Sequence, residues 1–553
     1  MHRWLADVRA LFDHDDGREA YSAEQRTIHR ASAPIDIDPA FREAMLAIER
    51  SGRDRLALGT CARDPTLAVS LRTQEIAGGG HVLVLGTSGA GKTRCVAGLA
   101  RQLLTRIARD PDAQGLVVVD HKGELVSIVR GMIGELADTL PADVAARLLE
   151  RLVVVNPFST EALVPLQILR RDAGDEPELV ALEATSVIDR LGGAQLGVNQ
   201  DSFLFHALLL GVDRGLSLPE VADLLGNPAA LAEHASGSAL DSVRSFFGGE
   251  RRLSEASLQG VRSRLHRLCR MRSARLMLGA RSSVSFYDML CSRIVLIDLG
   301  SPPFGCEDLA AFWAGILTLK LTRAIFQRTE ADTRRPVTIL VDEWQEGIAA
   351  GGGIAEHYAR VLSVARSRAV SLVLISQSLA GAARVESTLP EVVATNTSVQ
   401  LLFRASAADA RAMAHLLPVT GRRMRAPVAP WEERARSPFL ERQAEREALI
   451  AEIPSLPERT LYFWNRHHSS RAELVRSIDV ELPPERRRRA AIEWALRNGA
   501  LARPLHELEA DLAHRGSPVF RRSGSPSARP PGIAFEPQTA PSPRRPARRV
   551  RFR

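Results

Sequence analysis

At 553 residues the chain has room for three to four domains of roughly 150 residues each, and its 45% hydrophobic and 25% charged residues exclude disordered and fibrous classes. No uninterrupted apolar run approaches the roughly 18 residues that cross a bilayer. Met1 to Arg9 mixes charge into its apolar residues, and the five cysteines form no Cys-x-x-Cys pair, so a cytoplasmic protein without disulfides or zinc is expected. The formal charge of +8 resides almost wholly in residues 514–553, which hold ten arginines against the single acid Glu536; the near-neutral remainder gives no charge argument for nucleic-acid binding.

Residues 1–55 read as an N-terminal helical segment with no clear series of strands. Short apolar runs follow at Leu56–Gly59, His81–Gly86, Leu116–Asp120 and Leu152–Val155, and again at Arg293–Asp298, Val337–Val341, Ser371–Ser376, Ser398–Phe403 and Thr460–Trp464. Runs without polar alternation suit strands buried on both faces, and helical stretches between them imply an α/β layered domain, in two parts at 56–175 and 291–480. Between the parts, 176–290 reads as an all-helical insertion. There Leu258, Val261, Leu265 and Leu268 form one apolar stripe, with Arg262, Arg264 and Arg267 mostly off it, either as a solvated face or lining a nucleic-acid channel. Pro483-Pro484 opens a surface helix within 481–513. Residues 514–553, rich in Pro, Ser and Arg, hold too few large apolar groups to offset chain entropy and are expected to be disordered.

Of 73 basic residues only Lys92, Lys122 and Lys320 are lysine. Codon bias in a GC-rich genome accounts for the arginine excess. A site that needs a compact ammonium rather than a wide planar fork resists that drift, and Lys92 and Lys122 are expected to be such sites.

The first of them lies in Gly86-Thr87-Ser88-Gly89-Ala90-Gly91-Lys92-Thr93, a full match to the phosphate-binding loop. Its glycines let backbone N–H groups close on a phosphate, Lys92 reaches the β and γ oxygens, and Thr93 offers a hydroxyl to Mg²⁺. A strand runs into the loop and a helix leaves it, so the helix N-terminus faces the phosphates. The run Val337–Val341 delivers Asp342 and Glu343, the first suited to hold Mg²⁺ and the second to activate water; a motor of this kind is expected to carry them at the end of a strand next to the loop strand. The strand Ser371–Ser376 ends at Gln377, whose amide can contact the γ-phosphate or the lytic water if this strand adjoins that of Asp342.

These segments, together with Asp120-His-Lys-Gly-Glu124, resemble in order and spacing the HerA/FtsK superfamily of hexameric motor ATPases, and within it the conjugative coupling proteins of TraG/TraD type. The resemblance spans about residues 55–480, helical insertion included. It implies a P-loop (RecA-like) α/β motor domain using ATP and Mg²⁺, with Lys92 and Thr93 on the triphosphate and metal, Asp342 on Mg²⁺, Glu343 as catalytic base and Gln377 as sensor. Lys122 falls in a family motif and is assigned to the nucleotide site without a defined role. An arginine finger from an adjacent subunit is also implied, with Arg366, eleven residues before Gln377, as first choice and Arg368 as fallback. The function implied is a hexameric ring that moves DNA in conjugative or mobile-element transfer, alongside a secretion channel, a relaxase or a nuclease. Unlike typical coupling proteins, the chain shows no transmembrane segment, and residues 1–55 lack the strand series of HerA proteins. A soluble ATPase partnering a nuclease in DNA processing or defence, a protein-translocating secretion ATPase and a nucleotide-gated assembly module stand as alternatives. The basic tail is expected to contact DNA phosphates, or else an anionic membrane surface.

Overall fold

A computed structural model describes residues 36–52, 55–77, 80–110, 114–172, 174–189, 196–249, 255–282, 284–300, 302–349, 354–423, 439–498 and 501–515. The expectations for residues 1–35 and for the tail from 516 onward lie outside the described residues. The described residues form thirteen strands: β1 (Arg55–Cys61), β2 (Asp64–Arg72), β3 (His81–Leu85), β4 (Gly115–Asp120), β5 (Leu152–Val155), β6 (Ala162–Leu163), β7 (Ile294–Asp298), β8 (Val337–Asp342), β9 (Val370–Ser376), β10 (Thr397–Phe403), β11 (Thr460–Asn465), β12 (Glu473–Ser477) and β13 (Arg503–Pro504). Eleven form one sheet in the order β2-β1-β12-β11-β10-β3-β9-β8-β4-β7-β5. The seven strands from β10 to β5 are parallel, and β11, β12, β1 and β2 extend the β10 side antiparallel.

Every residue of β3, β4, β5, β7 and β9 is buried, as expected of strands covered on both faces. The period of two splits each strand between two cores: Leu83, Leu85, Val117 and Val119 face one, Val82, Val84, Leu116 and Val118 the other. The second core is closed by helices α1 (Lys92–Arg109) and α2 (Glu124–Thr139). The first is closed by the insertion and by α3 (Glu307–Gln327), whose Phe312 and Trp313 are fully buried. Among the described residues α3 alone is long and apolar enough to cross a membrane, although 72% of its most apolar window is buried inside the protein. It is no uninterrupted apolar run, because Lys320 and Arg323 lie within it; both pair with Glu183 of the insertion, at 3.8 and 2.7 Å.

In the insertion, Val261, Leu265 and Leu268 of the helix Glu255–Leu268 are buried, as the stripe requires. Of the flanking arginines, Arg264 pairs with Asp189 at 3.2 Å, and Arg267, half exposed, pairs with Asp308 of α3. Two expectations need correction. Strands β2 and β12 were not foreseen, because edge-region antiparallel strands mix buried and exposed positions and carry charge. The single surface helix after Pro484 is two helices, Glu485–Asn498 and Leu505–Arg515, separated by β13, which pairs with β6. Pro504 carries no N–H for a continuing helix, and Leu505 and Leu508 are buried against the core rather than solvated.

Candidate functional site

The parallel sheet brings the sequence-predicted residues to one edge. The phosphate loop leaves β3, the Lys122 turn leaves β4, Asp342 ends β8, and Gln377 follows β9, all at the carboxyl ends of their strands. The acidic strand is not the immediate neighbour of the loop strand, as the sequence reading required: β9 lies between β3 and β8, in register Leu85↔Ser376 and Asp342↔Ile375. Gln377 therefore sits between the loop and the carboxylates, half-buried.

The loop's shape depends on its glycines. Gly86 and Gly91 have φ of 153° and 103°. A Cβ on Gly86 would stand 2.6 Å from the Phe403 Cβ, and one on Gly91 3.0 Å from the Arg459 backbone, so both positions exclude side chains on conformation and on space. Thr87 donates its N–H (2.8 Å) and hydroxyl (3.1 Å) to the Arg404 carbonyl after β10, and Arg459 N–H donates to the Ala90 carbonyl at 3.0 Å. Ser88 and Gly89 form the exposed lip, Ala90 is buried, and Thr93 is half-buried in the first turn of α1. Lys92 is buried, its ammonium donating to the carbonyls of Gly86 and, at 2.9 Å, Thr87. Burial lowers its pKa, opposed by the nearby Glu343 and Asp342 carboxylates. Two carbonyls within reach of one ammonium is a contact that a compact point charge makes.

Three aspartates share one register across the carboxyl ends: Asp342 opposite Asp120, and Asp120 opposite Asp298. Asp120 is satisfied by backbone N–H groups of Lys122 (2.8 Å), Gly123 (2.8 Å) and Val126 (2.9 Å), which fold the turn into α2. Asp298 pairs with Arg130. Asp342 is pushed up to about 7 by burial and then by the negative charges of Asp120 and Glu343. A half-buried carboxyl crowded by two others is of the oxygen-donor type that suits a hard divalent cation.

Glu343 is buried and adopts φ 48°, in the left-handed region. Burial raises its pKa, but the donors on its carboxylate bring it below the usual value. Lys122 Nζ donates to Oε1, and Gln345 Nε2 donates to Oε2 at 2.6 Å. Lys122 thus reaches not the phosphate loop but the carboxylate expected to act as base. Gln345 and the brace behind Gln377 escaped the sequence reading; in that brace Ser378 and Ser406 hydroxyls donate to Asp409 at 2.7 and 2.8 Å. Gln345 and Ser378 lie next to motif residues and Asp409 some thirty residues on, and only the folded sheet shows what they touch.

Arg366 and Arg368 occupy the short helix Ala365–Arg368 before β9, at the opposite edge of the sheet. Seven residues of strand separate that edge from Gln377, roughly 20 Å. Arg366 is exposed, whereas the Arg368 guanidinium donates to the Arg328 carbonyl, and Arg328 Nε returns a bond to the Arg368 carbonyl at 2.9 Å. The fold does not bring either arginine to its own chain's phosphate loop.

A parallel α/β sheet with a phosphate loop after a central strand, and a carboxylate two strands away, defines a P-loop nucleoside-triphosphatase fold. No family model and no curated protein matches the sequence. Among solved structures the chain is similar to the plasmid coupling protein TrwB in complex with ADP and Mg²⁺, at TM-score 0.50 and 14% identity over 83% of this chain and 98% of that one. It is similar also to a sulphate-bound trigonal form of that conjugative coupling protein, at 0.50 and 15% over 83% and 98%. VirB4 of Thermoanaerobacter pseudethanolicus matches at 0.48 and 13% over 77% and 96%. At these identities the likeness is one of fold, and the fold expected from the coupling-protein resemblance is borne out.

Proposed function

We propose that the chain is an ATP-hydrolysing ring motor that works in the cytoplasm and moves DNA in conjugative or mobile-element transfer. The observation that carries the hydrolase reading is the shared edge on which Lys92, Glu343 and Gln377 converge from three adjacent strands. Backbone N–H groups of residues 88–93 hold the phosphates, and Lys92 turns from the Gly86 and Thr87 carbonyls to the β and γ oxygens. Mg²⁺ held by Thr93 and Asp342 would neutralise charge on the triphosphate when bound. Glu343 accepts the proton of the attacking water, and Gln377 orients that water. The DNA reading is supported by likeness to a conjugative coupling protein and by the arginine-rich tail, whose charges suit phosphate contacts. A hexamer, and a relaxase or secretion channel as partner, follow from the same resemblance.

The test is Mg²⁺-dependent ATP turnover of the full chain with no DNA, single-stranded DNA or double-stranded DNA. Turnover stimulated by one form of DNA and abolished in Glu343→Gln is expected. Turnover indifferent to both forms removes the DNA motor, and absence of turnover under all three conditions removes the ATPase.

A further inference from the structure

Lys122 has no role in the mechanism above, yet it is one of three lysines in the chain and touches the base directly. Its ammonium sits on Glu343 Oε1 while Gln345 donates to Oε2 at 2.6 Å, so each carboxylate oxygen accepts from a protein donor. The two partners differ in freedom. The Glu343 side chain is buried, whereas that of Lys122 is 46% exposed, on a flexible four-carbon stem, at the mouth of the site. The Lys122 backbone is fixed by Asp120, so only its side chain is free to choose a partner. The phosphate loop leaves β3 at the same edge of the sheet at which the Lys122 turn leaves β4, and the charges of Lys122 and Glu343 both act on the Lys92 ammonium of that loop.

We propose that Lys122 is a two-position cation that restrains Glu343 in the nucleotide-free protein and moves to the γ-phosphate when ATP binds, freeing the base only when there is a bond to hydrolyse. Lys122 thus acts through Glu343 in the nucleotide-free protein and contacts the substrate itself once ATP is bound. The inference rests on the ATPase reading above and concerns how that site is regulated. A γ-phosphate carries more negative charge than one carboxylate, and ADP lacks it, so the exchange distinguishes the two nucleotides by chemistry alone.

The exchange makes a binding prediction that needs no turnover. ATP must break the Lys122–Glu343 pair before using Lys122, so Glu343→Gln should bind a non-hydrolysable ATP analogue with Mg²⁺ more tightly, by roughly five-fold. In a Lys122→Met background the pair is already absent, and most of that gain should vanish. If Lys122 instead stays on Glu343 with nucleotide bound, fixed charges act independently and the gain is the same in both backgrounds. Titration calorimetry on the full chain, wild type, both single variants and the double variant, reads the cycle. ADP run in parallel should change less than two-fold across all four, which also verifies that each variant keeps its nucleotide site. A gain undiminished by Lys122→Met overturns the exchange, as does an equal effect on ADP. Failure of the wild type to bind either nucleotide overturns the ATPase reading itself, so the two failures are distinguishable.

Discussion

Asp342 shows how a single side chain can favour function over stability. Its carboxyl is pushed up to about 7 by burial and by Asp120 and Glu343, far above the 3.9 of an unfolded chain. Between those two values the folded state holds a proton that the unfolded state has lost, so this residue's contribution to stability declines as pH rises from about 4 to about 7 and stays at its lowest above that. Replacing it by Asn removes the ionisation without changing the shape. In the nucleotide-free protein, Asp342→Asn should therefore raise the melting temperature more at pH 8 than at pH 5, with a gain of up to about 4 kcal/mol at pH 8. The same variant should lose Mg²⁺-dependent turnover. A gain that is equal at the two pH values would show that Asp342 is not the destabilising charge. Glu343, one residue on, is treated oppositely by its surroundings, because the Lys122 and Gln345 donors outweigh its burial. Two adjacent carboxyls are thereby driven apart in acidity by their surroundings.

At the level of elements, the site depends on how the turns after β4 and β7 pack together. Gly300 lies so close to the Lys122–Gly123 backbone that a Cβ there would stand 2.3 Å from Gly123 N and 2.5 Å from the Lys122 carbonyl oxygen. Backbone cannot rotate away as a side chain can, so Gly300→Ala should displace the Lys122 turn and disturb Glu343 from a distance. A shift of about 1 Å at a catalytic group costs on the order of 10²-fold in rate, and a loss of that size with a retained melting transition is expected. Unchanged turnover would mean that the turn tolerates displacement and that Lys122 need not be held where it is. This dependence marks the limit of what the sequence discloses. The phosphate loop is legible because its eight residues are contiguous, and β3, β4 and β9 are legible because burial on both faces leaves an unbroken apolar run. The Lys122–Glu343 contact joins residues 221 apart and exists because β4 and β8 are neighbours, a fact of strand order that chain order does not carry. Glu473 of β12 was hidden for a related reason: fully buried, it is matched by Arg471, and a charged residue reads as loop until its partner is seen.

On the scale of the whole molecule, Arg366 and the phosphate loop lie at opposite edges of one sheet. An arginine finger must reach a γ-phosphate, and Arg366 is about 20 Å from the phosphate-loop edge of its own chain by strand rise alone. Head-to-tail contacts between identical subunits place different faces against each other, and in the proposed ring, where the rotation closes, the exposed edge of one subunit can meet the nucleotide edge of the next. Arg366, exposed, has the freedom this requires, whereas Arg368 is engaged with Arg328. We expect Arg366→Ala to lose turnover by about 10³-fold while binding ATP almost as the wild type does, because the finger acts on transition-state charge. Mixing is the decisive measurement. A ring combining Arg366→Ala subunits with Glu343→Gln subunits contains sites with an intact base from the first and an intact finger from the second, so activity should return at intermediate ratios. If no ratio restores turnover while sedimentation shows that mixed rings form, the site is not shared between chains in this way, and the exposed edge carrying Arg366 needs another role.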